Sequence, residues 1–388
     1  MPRWMPTISA MSMTRIERCR AAIASKPLDR FPTYIPAISC SVAAGIMGRP
    51  VHTGAGSLRY KEVLAWSRGE RAHEDFEKQF LADIISLYRA LDIDVYRMPW
   101  RMNRKPTRAI DEFTFVFGDE SGPHQVWHYD DASDDFSPIK VVKSDVPPED
   151  LLRQQVEAGE AGLEARLKGT EAAVRKHLTL CEQIGQEFFM PSSFGAITVG
   201  IDEDDMLNLA SEPQLVARLM MLQAHETVRA GEMLAASPWP AVLLAGGDMA
   251  GNDGPIYSPA AFRAVVLPAY TFALKRLNAA GAHYVFRSDG NLWSVADMLF
   301  NEARVPGYGE VDRDASMTVG QLRKRFPKLT LWGQVSSNFL ARATVQQVKD
   351  ECRRILDESG GTGYFHGCSN AIVKGTPPEN VIAMLEVR

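Results

Sequence analysis

The stretch HYVFRSDGNLW, residues 283–293, decides how this chain is read. Its first four residues, His283-Tyr284-Val285-Phe286, suit a short buried strand. The run breaks off into Arg287-Ser288-Asp289, and Gly290-Asn291 then turn the chain towards a helix-forming segment. Charge at the end of an apolar strand, followed at once by a helix, is the layout of a strand–loop–helix unit whose loop faces a ligand. An Arg287–Asp289 ion pair with Asn291 as a helix cap would produce the same pattern.

The layout repeats on either side. Apolar runs at 186–190 (QEFFM), 240–245 (PAVLLA), 305–311 (VPGYGEV), 329–335 (LTLWGQV) and 363–366 (GYFH) alternate with helical segments. Those segments lie near 212–236, 258–280, 292–301, 317–325, 344–357 and 377–386. With earlier runs near 33 and 94, about eight strand–helix units emerge. They predict an α/β chain folded as a (β/α)8 TIM barrel rather than an open doubly wound sheet. Residues 13–25 read as an N-terminal helical extension, 74–91 as a strong amphipathic helix and 148–184 as a long polar helical region. Residues 107–144, rich in Thr, Phe, Val, Trp and Tyr, read as an inserted β-hairpin region. No internal repeat divides the chain, so residues 1–388 are expected to form a single barrel domain.

Composition narrows the function classes. The 388 residues are 45% hydrophobic and 23% charged, which excludes disorder. A net charge of −5 argues against nucleic acid as partner. The sharpest basic cluster, Arg97, Arg101, Arg104, Lys105 and Arg108, reads as a solvated loop, with an anion-contacting role as the alternative. No run approaches the roughly 20 apolar residues of a membrane span. The first thirteen residues contain no continuous apolar segment of a signal peptide. The five cysteines are scattered, odd in number and without CxxC spacing, as in a reducing compartment. A cytoplasmic location is expected.

In such barrels, polar residues just after each apolar run line the active site. Here these include Ser193, Asp248, Arg287, Asp289, Asn291, Glu310, Gln334, His366 and Cys368. Asp248 is the first carboxylate of a glycine-rich loop, GGDMAGNDGP (246–255), of the kind that approaches a ligand or another backbone closely. His366 and Cys368, two apart, fall on one face of a strand, where imidazole and thiolate suit zinc with Asp289 and Glu310 near; core packing of both is the alternative. Trp100, Phe194, Tyr257, Trp293 and Tyr308 would suit a planar ligand or rim packing. Phosphate-loop, dinucleotide, HExxH and GxSxG signatures are absent, as is the DxHxxG of many corrinoid carriers.

Four segments resemble the uroporphyrinogen decarboxylase superfamily. They are RCRAAI (18–23) with KPLDRFP (26–32), GGDMAGNDGPIYSPAAFRAVVLPAY (246–270), HYVFRSDGNLW (283–293), and GYFHGCSNAIVKGTPPENVIAMLE (363–386), the most specific. The resemblance implies a (β/α)8 barrel with its site at the C-terminal mouth. The arginine-rich clamp of true uroporphyrinogen decarboxylases is missing, since residues 32–50 read PTYIPAISCSVAAGIMGRP. Without it, a tetrapyrrole's carboxylates lose their charge partners. The chain looks more like the corrinoid- and zinc-linked methyltransferase branch. That branch uses H-x-C and a later Cys for zinc; here Arg287-Ser288-Asp289 stand in the first motif, leaving Asp289, Glu310 and Cys368 as the implied metal ligands.

The expected function is methyl transfer between a small-molecule methyl ether or amine and a corrinoid on a separate partner protein, or a thiol. Asp248, Arg287 and Asp289 are the expected catalytic residues. Ser193, Asn291, Glu310, Gln334 and His366 are expected to bind substrate. A metal-independent decarboxylase of a carboxylated heterocycle is the alternative, and a non-catalytic binder of small molecules the third reading.

Overall fold

The computed structural model describes residues 12–388, so most of the leader reading for residues 1–13 lies outside the described residues. In chain order the strands are β1 (Thr33–Tyr34), β2 (Arg108–Ala109), β3 (Thr114–Gly118), β4 (His124–Asp130), β5 (Asp135–Val142), β6 (Val242–Gly246), β7 (Ala250–Gly251), β8 (Gly254–Pro255), β9 (His283–Arg287), β10 (Gly307–Gly309), β11 (Thr330–Trp332) and β12 (Tyr364–Gly367). Six of them form one parallel sheet in the order β1-β12-β11-β10-β9-β6. The fold is therefore α/β and TIM-barrel-like, with six regular strands where the sequence predicts eight.

The runs near 94 and 189 do not extend into regular strands. They make isolated parallel bridges, Val95 with Phe189 and Ser192 with Leu243. The Val95 amide donates to the Thr33 carbonyl (3.1 Å), the Tyr96 amide to Phe189 (2.9 Å) and the Ser192 amide to Val242 (2.8 Å). These bonds reach from edge strand β1 to edge strand β6. Pro191 has no amide to donate and Pro99 follows close behind Tyr96, which keeps both ladders short.

Alternation along each strand sorts side chains into two layers. Tyr34, Val95, Phe189, Val242, Leu244, Val285, Trp332 and Phe365 form the inner cluster. The Trp332 and Phe365 rings stack at 3.6 Å, and Tyr34 meets Trp332 edge-on at 5.2 Å. The opposite faces, including Tyr284, Phe286, Tyr308, Leu331 and Tyr364, join the larger cluster beneath the helices. At the N-terminal end of the strands, the helix Arg15–Ile23, capped by a Thr14–Glu17 box, inserts Cys19 and Ala22 into the inner cluster. Buried Arg18 fixes it there through Asp29 (2.8 and 2.7 Å) and Asp94. This end of the sheet is plugged, which leaves the C-terminal ends for chemistry.

The insertion folds as expected: β2-β3-β4-β5 form an antiparallel sheet. Phe115, Phe117, Tyr129 and Phe136 pack with Tyr60 and Val63 of the helix Ala55–Ser67. Helices Cys40–Met47, Ala55–Ser67, Glu203–Ser211 and Ser337–Arg342 have no counterpart in the sequence reading. The helix expected at 292–301 reduces to a π-helical turn, Met298–Glu302.

Candidate active site at the strand C-termini

Arg287 ends β9 on the same face as Val285, so its side chain emerges at the mouth. The turn that follows is docked on the β7–β8 hairpin. The Met249 amide donates to the Ser288 hydroxyl (3.0 Å), and the Asn291 amide donates to the Gly251 carbonyl (2.8 Å). Gly290 sits at φ +79°, and a Cβ there would lie 2.4 Å from the Ala250 carbonyl oxygen, so only glycine fits. Its amide donates to Asp312 (3.2 Å). Asp289 is thereby held in place, and Asn370, in the loop after β12, donates to its carboxylate (3.1 Å).

Glu310 follows β10 with φ +64° and is only 3% exposed. A non-glycine residue in that conformation is strained, and such strain collects at functional sites. Its carboxylate accepts from Arg287, while Arg97 approaches the same oxygen at 3.8 Å. Arg97 also donates to the Tyr34 hydroxyl (2.8 Å). The Trp100 ring lies 5.0 Å from the Arg97 guanidinium and 5.6 Å from that of Arg287.

Two further carboxylates stand beside this fixed pair. Desolvation and the negative charge of Glu310 raise the Asp248 carboxyl above its ordinary value, against the opposing pull of Arg287. Asp289 is pushed up to about 6, first by desolvation and then by Asp248, Glu310 and Asp312, with Asn370 pulling the other way. A carboxyl that holds its proton close to neutrality, next to a second carboxylate, suits proton donation to a reacting heteroatom.

The structure brings Asp248, Arg287, Asp289 and Glu310 within electrostatic reach of one another. Ser193 is exposed at the rim. The Asn291 side chain accepts from the Trp293 amide (3.1 Å), a turn-capping role. Gln334 does not join: its side-chain oxygen accepts from the Val319 amide at the start of the helix Val319–Arg325. His366 does not join either. It shares the outer face of β12 with Tyr364, and its Nε2 pairs with the Met384 carbonyl (2.9 Å) of the C-terminal helix. Burial depresses that imidazole to about 4.

Cys368 continues the same outer face and meets the Ser337 hydroxyl at 3.2 Å. Burial raises its thiol to about 11. The implied zinc set of Asp289, Glu310 and Cys368 thus does not converge. The sulfur points towards the helices while the carboxylates face the mouth, and Arg287 already neutralises Glu310. The residues present do not fit the metal. Among the described residues, one metal-sized group of donors occurs, Glu62, His73 and Glu77. The Arg101 guanidinium occupies it, donating to both carboxylates.

Arg97, Trp100, Tyr34 and Asn370 complete the site. The solvated-loop reading of the basic cluster fails for Arg97 and Arg101, which are buried. Arg97 directly follows the apolar run at 93–96, so the strand-end rule applied to that run would have found it. A cleft of about 590 Å³ lies instead at the plugged end, lined by the paired ions Arg15, Arg30 and Asp92.

Residues 205–388 match the family model described as Uroporphyrinogen decarboxylase (URO-D). The likeness is to the uroporphyrinogen decarboxylase superfamily. A solved methyltransferase from Methanosarcina mazei superposes with a TM-score of 0.59 at 17% identity, covering 97% of this chain and 98% of its own. Likeness at that identity speaks for a shared fold. No curated protein matches the sequence. The segment matched by that model contains Asp248, Arg287, Asp289 and Glu310 but not Arg97 or Trp100.

Proposed function

We propose that this chain is a methyltransferase of the uroporphyrinogen decarboxylase superfamily. In this reading residues 93–96 and 189–192 close the sheet into an eight-stave barrel. A methyl group passes at its mouth between a small methyl ether or amine and a separate corrinoid or thiol acceptor. The observation that carries the reading is the Asp248–Asp289 pair beside the fixed Arg287–Glu310 ion pair at the strand C-termini. The M. mazei methyltransferase, alike in fold over nearly the whole chain, supports it.

For a methyl ether, the bond between methyl carbon and oxygen breaks and its electron pair stays on oxygen. The acceptor supplies the electron pair that forms the new bond to carbon. Asp289 gives the departing oxygen its proton, and Asp248 keeps that proton available by disfavouring a second negative charge. Arg287 and Glu310 orient the rest of the substrate. No step runs through zinc.

The test is to incubate the purified protein with methoxylated and methylaminated small molecules and cob(I)alamin, following the methylcobalamin spectrum. Asp289→Asn should slow the reaction by about 10²–10⁴-fold, the usual contribution of a general acid. Carbon dioxide release from a carboxylated heterocycle, with no methyl product from any donor, would replace this reading by the decarboxylase one. That second reading draws on the two neighbouring guanidiniums, Arg97 and Arg287, which suit a substrate carboxylate.

A further inference from the structure

We infer that Arg97 and Trp100, with Arg287, form an anion subsite at the mouth that takes the carboxylate of a small planar substrate. The inference rests on the reading above that the mouth is where substrate binds. It adds the chemical class of that substrate and joins to the site Arg97, for which anion contact was the alternative reading of the basic cluster, and Trp100, one of the aromatics suited to a planar ligand.

Arg97 is 3% exposed, yet its nearest carboxylate oxygen, on Glu310, is 3.8 Å away and is already held by Arg287. Other buried arginines of this protein are served better. Arg18 donates to Asp29 and Asp94, and Arg101 to Glu62 and Glu77. A guanidinium taken out of water without a hydrogen-bonded counter-charge is costly, and five donors need acceptors. The neutral Tyr34 hydroxyl satisfies one. The Nε groups of both Arg97 and Arg287 are buried with no hydrogen-bond partner. Among the described residues, Glu310 is the one carboxylate in contact with both cations, so a ligand carboxylate supplies the acceptors their remaining donors lack.

Trp100 shapes the ligand. It stands within cation–π range of both guanidiniums, and 47% of its surface remains open. An exposed indole beside a bidentate cation offers a flat wall to a planar acid. The charges on the other side set the orientation. Asp248 and Asp289 repel a carboxylate, so the acid group lies towards Arg97 and the methylated heteroatom towards Asp289.

Calorimetric titration of the full chain with benzoate and with neutral benzyl alcohol tests this. Benzoate should bind the parent at least about tenfold more tightly than benzyl alcohol does, the gap expected when a charge-assisted contact is lost. Arg97→Gln should remove that gap, Arg97→Lys should keep part of it, and Trp100→Leu should weaken both ligands. Thermal melts check folding; if Arg97→Gln does not fold, the Lys and Leu variants decide. Equal binding of the two ligands by the parent, or unchanged benzoate binding in Arg97→Gln or Trp100→Leu, would overturn the subsite. Benzoate selectivity in a protein that transfers no methyl group would sink the methyltransferase reading and leave the subsite standing. Methyl transfer indifferent to a carboxylate on the donor would do the reverse.

Discussion

Replacing Glu310 by Gln keeps the side chain's size and removes one negative charge from the centre of the site. Glu310 is 3% exposed, is bonded to Arg287 and lies 3.8 Å from Arg97. Both cations stay buried in the variant. Removing one partner of a buried ion pair costs about 3–5 kcal/mol. At roughly 2.1 cal/mol/K of unfolding entropy per residue, the 388-residue chain loses stability at about 0.8 kcal/mol/K near its midpoint. The expected fall in Tm is therefore about 4–6 °C, measured by calorimetry at neutral pH. A second readout is independent of stability. Glu310 is among the charges that hold Asp289 up at about 6, so Glu310→Gln should move that titration towards the ordinary aspartate range. Carboxyl-carbon NMR or the acid limb of the rate profile would follow it. A Tm within about 1 °C of the parent, with the Asp289 titration unmoved, would refute the idea that Glu310 is the shared counter-charge of this site.

Asp289→Asn should change stability in a pH-dependent way. Asp289 keeps its proton up to about 6 when folded but only to the ordinary 3.8 when unfolded. The native state therefore holds more protons in that window, and stability falls as pH rises through it. The Asn variant should melt higher than the parent above pH 6 and no higher below pH 3.8, and an equal shift at both ends would contradict the placement. Cys368→Ala should leave the zinc content of the purified protein at the parent's level by mass spectrometry, at a stability cost of about 1–2 kcal/mol; loss of bound zinc would restore the ligand set rejected here. Gly290→Ala should cost about 3 kcal/mol by forcing an L-residue into φ +79° against the Ala250 carbonyl, and should lower turnover by displacing Asp289. Turnover retained in a destabilised Gly290→Ala protein would show that the turn does not position the acid.

Much of this protein is local and therefore legible. Alternating apolar runs and helical segments marked β6, β9, β10, β11 and β12 and most of the helices behind them, because periodicity is a property of neighbours. The aromatic and β-branched run with Asp-rich turns at 107–144 announced its antiparallel sheet for the same reason. Polar residues after apolar runs placed Asp248, Arg287, Asp289 and Glu310 at one end of the strands. What failed was the helix count around 40–67, where glycines and serines weaken the pattern, and the strands at 94 and 189, which prolines cut to single bridges.

The side on which a residue lies is not local. His366 and Cys368 do share a face, as their spacing says, but Phe365 stacks on Trp332 in the inner cluster and sends that face towards the helices. One step in the phase of a strand thus separated a supposed zinc thiolate from the mouth. Arg97 makes the complementary point. By sequence it belongs to a run of basic residues, and only the packing of residues 93–96 beside β1 buries it within reach of Glu310, more than two hundred positions away. The sequence determined which residues end the strands, since backbone propensity and side-chain pattern travel with the chain. The tertiary structure decided which of those ends share one electrostatic centre, since charges interact through space and a strand's phase is set by what it packs against.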